Sequence, residues 1–206
     1  MRAPPPLRLV LFDFDGVLAR YDRHARLAHL AQATGGTRAE VENVLFGSGL
    51  ERAYDSGMLD TGTYLQQLGD GLGCNIDAAA WIEARIAATA ADAVVLELVA
   101  ALGARVPVGV LTNNGALMLD AMPCIVTPLF PLFDGRVLCS GLLGMRKPDR
   151  AIFEAALVHF DARAQETLFV DDLFVNVRAA RAAGMHAETV ADARSLRRVL
   201  RRYGLA

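Results

Sequence analysis

Asp13 and Asp15 stand two residues apart at the end of the apolar run Leu9-Val10-Leu11-Phe12, with Phe14 between them and Gly16 behind. On an extended strand a spacing of two puts both carboxylates on one face and turns Phe14 to the other. The run has strand length, and its unbroken apolar character predicts a strand buried on both faces in a parallel sheet. The carboxyl end of such a strand is where open α/β sheets carry their ligand sites. Two acids crowded at one tip repel each other, and a hard divalent cation such as Mg²⁺ would compensate them. Taken alone, the pair is equally the ordinary aspartate of a turn.

The elements that must position these acids settle more. A second buried strand is predicted over Arg105–Leu111, tipped by Thr112-Asn113-Asn114-Gly115, and a third over Thr167–Val170, tipped by Asp171-Asp172. Lys147 stands in a loop between the second and the third, before a helix in which Pro148 suits the first turn. Short strands are predicted at Val137–Ser140 and Met185–Val190. Gly141–Gly144 reads as a loop and Ala121–Phe133 as a proline-rich irregular stretch. Strands alternating with helices imply parallel βαβ units, so the three polar tips share one sheet edge.

Between the first and second strands the texture is helical. Leu27, Leu30 and Ala31 recur at helical spacing, Thr37 with Glu40 forms a capping box, Asp60 or Thr61 starts another helix, and Asp77 caps one through Trp81. No strand pattern intervenes, so a helical insertion joined by linkers near Leu18–Tyr21 and Ala88–Asp92 is expected.

The totals exclude several classes. The chain has 206 residues, 53% hydrophobic and 21% charged, with a net charge of −2. That balance gives no electrostatic reason to expect nucleic acid or an anionic membrane as partner. The apolar runs fall short of the ~20 residues a membrane helix needs, and Met1–Pro6 is too short and proline-rich for a signal peptide. Cys74, Cys124 and Cys139 are odd in number and widely spaced, which fits free thiols in a cytoplasmic protein. The four histidines show no metal-ligand spacing.

Asp13-Phe14-Asp15-Gly16-Val17, Leu111-Thr112-Asn113, Lys147-Pro148 and Val170-Asp171-Asp172 together resemble the four ordered motifs of the haloacid dehalogenase-like (HAD) hydrolase superfamily. Around Gly144–Pro148 and Phe169–Asp172 the chain looks closest to α-glucose-1-phosphate phosphatase-like and epoxide-hydrolase-N-terminal-domain-like sequences. The resemblance implies an α/β fold, a Rossmann-like three-layer parallel-sheet core (residues 1–17 and 92–206) with an inserted α-helical cap (residues 18–91). It implies Mg²⁺-dependent hydrolysis of a phosphomonoester through an aspartyl-phosphate, with a small phosphorylated metabolite such as a sugar phosphate as substrate. Asp13 would be the nucleophile and Asp15 the general acid and base. Mg²⁺ would bind Asp13, the backbone carbonyl of Asp15 and Asp172, with Asp171 either a further ligand or an acceptor behind them. Thr112 and the Asn113 amide would hold phosphate oxygens, Lys147 would neutralise nucleophile and phosphate, and Asn176 matches a position that often supports the metal. A monomer or homodimer is expected.

Rival readings separate on single features. Halide expulsion needs neither a proton nor a metal, so Asp15 and the acidic pair Asp171-Asp172 favour a phosphatase over a dehalogenase. A phosphomutase would want a basic cluster in the cap, and the strip Gly47–Met58 offers only Arg52 and Tyr54. A non-catalytic binding module would not require the nucleophile. No GxGxxG follows any strand, which excludes a nicotinamide-binding protein.

Overall fold

The computed structural model describes residues 6–206; the reading of the N-terminal proline run lies, but for Pro6, outside them. The chain opens with β1 (Leu9–Phe12) and β2 (Ala19–Tyr21). Helices α1 (Arg23–Thr34), α2 (Arg38–Glu42), α3 (Leu50–Asp55), α4 (Thr61–Leu72) and α5 (Ala78–Ala87) follow, with a π-helical turn at Asn43–Gly47. Then come β3 (Thr89–Ala91), α6 (Ala93–Gly103), β4 (Val108–Thr112), α7 (Met118–Ile125), β5 (Val137–Cys139), α8 (Ser140–Leu143) and α9 (Arg150–His159). The chain ends with β6 (Thr167–Asp171), α10 (Phe174–Ala182), β7 (His186–Thr189) and α11 (Ala193–Arg202).

Five strands form one parallel sheet in the order β5-β4-β1-β6-β7, as the alternation of strands and helices predicts. β1 is central and wholly buried. Val10 and Phe12 pack into the apolar cluster on one side of the sheet, Leu9 and Leu11 into the cluster on the other. That division is the two-residue period of a pleated strand read out in three dimensions. The chain builds β4 and β5 on one side of β1 and then crosses to build β6 and β7 on the other. The strand order therefore reverses at the carboxyl end of β1, which is where such sheets open a crevice. Asp13 and Asp15 stand at that point.

Helix starts follow the sequence signals: Asp22, Asp60, Asp77 and Asp92 accept from backbone amides of the first turns behind them, and Thr37 with Glu40 closes a capping box. Four local expectations are corrected. The two linkers of the helical insertion are β2 and β3, paired antiparallel as a separate two-stranded ribbon with Arg20 opposite Ala90. Ala-Arg-Tyr and Thr-Ala-Ala are too short to carry a strand period, so only their mutual pairing makes them strands. The stretch from Ala121 begins inside α7, because Met118, Ala121 and Met122 bury one face while Pro123 forgoes a single backbone donor. Gly141–Gly144 is largely helical turn α8, anchored by Gly141 N donating to Asn114 O at 3.1 Å. Pro148 precedes its helix: Asp149 N donates to Arg146 O in a turn and α9 starts at Arg150. Among the described residues no helix is long and apolar enough to cross a membrane.

Candidate active site

Three strand tips meet where the sequence places them, and one lysine ties two of them together. Lys147 is buried, with Nζ 2.9 Å from Asp13 Oδ2 and 2.7 Å from Asp171 Oδ2. Its backbone is fixed by a side chain from the β4 tip: Lys147 N donates to Asn113 Oδ1 at 2.9 Å, and Asn113 Nδ2 donates to Lys147 O at 2.9 Å. The Asn113 side chain thus holds the lysine loop, a task the sequence reading gave it no hint of. Asp13 Oδ1 accepts from Phe14 N at 2.7 Å. Thr112, also buried, accepts on Oγ1 from Asn114 Nδ2 at 2.8 Å.

Carboxylate oxygens of Asp13, Asp171 and Asp172 lie within 4.8 Å of one another. Three acids against one lysine leave the cluster short of positive charge, and the protonation equilibria register this. Burial pushes Asp13 up to about 7, against the pull of Lys147 and helped by the charge of Asp171. Burial and Asp171 also raise Asp172. A hard cation bound by these oxygens would remove both strains. Gly16 supports the fit. Its φ of +81° is one that a residue with a Cβ resists, and a Cβ there would lie 2.3 Å from Asp172 Oδ2. The absent side chain is what gives the Asp172 carboxylate its place beside Asp13's strand.

Asp171 is differently occupied. It is fully buried, and besides Lys147 it accepts from Leu173 N at 2.8 Å and from Asn176 Nδ2 at 3.1 and 3.0 Å. Both its oxygens are therefore engaged; Asp13 likewise accepts from Phe14 N on Oδ1 and pairs with Lys147 through Oδ2, and Asp172 is the least buried carboxylate of the three. Asn176, on α10, acts on Asp171 and through it on Lys147.

Asp15 is held from two sides. Asn114 Nδ2 donates to its Oδ2 at 3.1 Å, and Arg85 Nη2 lies 2.6 Å from each of its carboxylate oxygens. Arg85 belongs to α5, seventy residues away in sequence, and escaped the sequence reading. Its one signal is that Trp81, Ala84 and Arg85 fall on the same buried face, an odd place for a cation.

The helical segment meets the sheet edge through small residues. A Cβ on Gly115 would come within 2.1 Å of Tyr54 Cε1, and one on Gly57 within 2.6 Å of Gly141 O. Tyr54 is buried with its hydroxyl accepting from Leu117 N at 3.0 Å, while Arg52 is exposed. Beside Lys147 opens a cleft of about 490 Å³ lined by Phe46, Glu51, Arg52, Asp55, Arg146 and Lys147. Glu51 pairs with the buried Arg26 and accepts from Tyr64 Oη at 2.5 Å. Burial and the charge of Glu51 push Asp55 up from 3.8 to about 8. An acid whose folded pKa is raised stabilises the fold at low pH and loses that contribution as pH climbs through the folded value. Wild-type stability should therefore decline between pH ~4 and ~8, and Asp55→Asn should flatten the decline. Denaturant midpoints measured across that range check this; equal slopes for the two proteins would count against a half-buried Asp55 whose charged form is disfavoured.

A family model described as haloacid dehalogenase-like hydrolase matches residues 7–184. A sesquiterpene phosphatase of Aspergillus oryzae is 54% identical over 54 residues, 26% of this chain and 27% of that protein. A drimenol cyclase of Aspergillus calidoustus is 35% identical over 83 residues, 36% of this chain and 16% of that protein. The chain thus spans well under half of either curated relative. Among solved structures, a HAD-like hydrolase from Porphyromonas gingivalis superposes with a TM-score of 0.77 at 24% identity, covering 96% of this chain and 99% of that one. A HAD enzyme from Bacteroides thetaiotaomicron, in complex with magnesium and inorganic phosphate, gives a TM-score of 0.74 at 19% identity over 90% and 95% of the two chains.

Proposed function

Because the chain belongs to the haloacid dehalogenase-like hydrolase family, we propose that it hydrolyses a phosphate monoester, with Mg²⁺ as cofactor and Asp13 as nucleophile. The observation that carries this reading is the cluster itself: three converging carboxylates and a single buried lysine, short of positive charge, beside a fourth acid that is free of the cluster. Asp13 and Asp172, with the Asp15 carbonyl, would hold the ion, which when bound supplies charge neutralisation for the phosphate oxygens.

An Asp13 oxygen attacks phosphorus, forming the acyl-phosphate bond as the ester P–O bond breaks. Asp15 gives its proton to the departing alkoxide, then takes one from the water that attacks the phosphoryl group, so inorganic phosphate leaves and Asp13 is restored. Lys147 lies against Asp13 and offsets the negative charge that gathers there. Thr112 and the Asn113 amide, at the adjacent tip, would donate to phosphate oxygens. The second acid favours this chemistry over halide expulsion, which needs no proton.

For the alcohol half of the ester, the sequence resemblance points to a sugar phosphate. A hydrophobic alcohol, such as a sesquiterpenoid phosphate, is favoured by two observations. One is the similarity to a sesquiterpene phosphatase. The other is the run Leu173-Phe174-Val175, exposed by 53, 62 and 44% directly after Asp172 at the site's edge, where large apolar groups commonly mark a binding surface. Phosphate release from a panel of sugar and isoprenyl monophosphates decides between them. In the same assay EDTA should reduce the rate at least ~100-fold, the order expected when charge stabilisation worth several kcal/mol is removed, and added Mg²⁺ should restore it. Full activity in chelator would overturn the metal assignment.

A further inference from the structure

The amino ends of β1, β4, β5 and β6 gather a second set of charges, at the sheet edge opposite the candidate active site. They line a groove of about 1040 Å³ that takes in Arg8 before β1, Arg105 and Pro107 before β4, Arg136 before β5 and Phe160 and Arg163 between α9 and β6. Arg8 pairs with Glu166 at 3.8 Å. Among the described residues Arg105, Arg136 and Arg163 make no ion pair. The one acid left in the groove, Asp161, is exposed.

Arg136 is the most firmly held of the three. It is half-buried, its Nε donates to Val108 O at 2.6 Å, and its Cζ lies 5.1 Å from the centroid of the Phe160 ring. The ring lies close on β4 in turn: a Cβ on Gly109 would come within 2.7 Å of Phe160 Cζ, so the missing side chain makes room for it. With Nε engaged and the plane over the ring, the terminal nitrogens are the open edge of the fork, and Nε carries the only hydrogen bond of this guanidinium among the described residues. Arg105 donates through Nη1 to Leu205 O at 3.1 Å. Arg163 bonds through its backbone carbonyl, to Thr167 Oγ1 at 2.9 Å and Glu166 N at 3.0 Å, and is exposed.

Three guanidinium groups on one groove repel each other, and Asp161 offsets a single charge. A phosphate monoester carries about −1.5 to −2 at neutral pH and three acceptor oxygens, which suits the excess. Guanidinium forks match phosphate oxygens in pairs and shed water more readily than an ammonium. The wall between the charges is apolar, formed by Val106, Pro107 and Leu157.

We infer that this groove binds a small organic phosphate, its phosphoryl group held by Arg136 with Arg105 and Arg163 and its apolar part laid against Val106, Pro107 and Leu157. It stands at the opposite end of β1 from Asp13, apart from the hydrolysis proposed above, and does not depend on that reading.

The probes are phenylphosphonate, which has no ester bond to lose, and inorganic phosphate. Each is titrated calorimetrically into the full chain in EDTA at about 0.15 M salt, where loosely held ions are screened. Phenylphosphonate should saturate one site. Arg136→Gln should weaken it at least ~tenfold, the loss of a charge-assisted fork, and Arg136→Lys should recover part of the affinity. Arg163→Gln should weaken it about three- to tenfold; that guanidinium supports nothing else, so the variant keeps the test alive if Arg136→Gln does not fold. Arg150→Gln, outside the groove, should bind as wild type. Amide hydrogen exchange should slow over residues 105–108 and 158–163.

No saturable binding, unchanged affinity in the Arg136 and Arg163 variants, or protection confined to residues 13–16 and 112–115 would overturn the assignment, the last by placing the ligand in the candidate active site. Inorganic phosphate bound as tightly as phenylphosphonate would overturn the apolar half of it.

Discussion

Asp13→Asn is expected to reduce phosphate release by at least ~10⁴-fold, toward the uncatalysed rate, while leaving the protein at least as stable as wild type in metal-free buffer at pH 8. The kinetic half follows from chemistry: an amide oxygen cannot form the acyl-phosphate, and what remains is catalysis by positioning alone. The uncatalysed reaction is among the slowest known, so even a residual rate is measurable above background. The stability half follows from the charge of the cluster. Asp13 is buried and pushed up to about 7, so ionising it at pH 8 works against folding unless a cation is present. The isosteric amide keeps the shape and removes that penalty. A variant within tenfold of wild-type activity would remove Asp13 from the reaction. A variant that unfolds much earlier would mean that its ion pair with Lys147 matters more to the fold than its burial harms it.

Lys147→Met should be the most destabilising single change at the site, by about 3–5 kcal/mol, the range found when one partner of a buried ion pair is removed. Lys147 Nζ lies 2.7 Å from Asp171 and 2.9 Å from Asp13, and both carboxylates would be left buried without it. Mg²⁺ should rescue part of the loss by replacing the missing charge. Asp171→Asn in the Lys147→Met background should recover more, and the non-additivity of the pair measures their coupling. Urea unfolding of the four proteins gives the cycle. A loss below about 1 kcal/mol would place the lysine among ordinary surface ion pairs.

What could be read from the sequence and what could not divide along a physical line. β1, β4 and β6 are short apolar runs whose burial is written into their own residues, and Asp13, Thr112 and Asp171-Asp172 are fixed to strand ends by chain order alone. The closeness of Gly16 to the Asp172 carboxylate was not legible, because that neighbour arrives from β6. Arg85 was illegible for the same reason: its meaning lies in a partner seventy residues away. Asn113 and Asp171 were seen as site residues, while their side-chain bonds to Lys147 depend on where the lysine loop returns. The ribbon was missed because three residues carry no period, and Pro148 and Pro123 were misplaced because local preference yields to tertiary contacts. Local pattern carries the frame of the site, and long-range side-chain pairing carries its second layer.

The antiparallel ribbon has a consequence for how such a protein diversifies. Tyr21 lies opposite Thr89 in its register, so topologically everything from Asp22 to Ala88 is a hairpin loop grown to the size of a small helical bundle. Because the two ends of that loop are already clamped side by side, lengthening, shortening or exchanging it changes the closure entropy of the chain only logarithmically and leaves the registers of β1, β4 and β6 untouched. Selectivity for the alcohol and the bond-breaking apparatus can thus vary as separate parts.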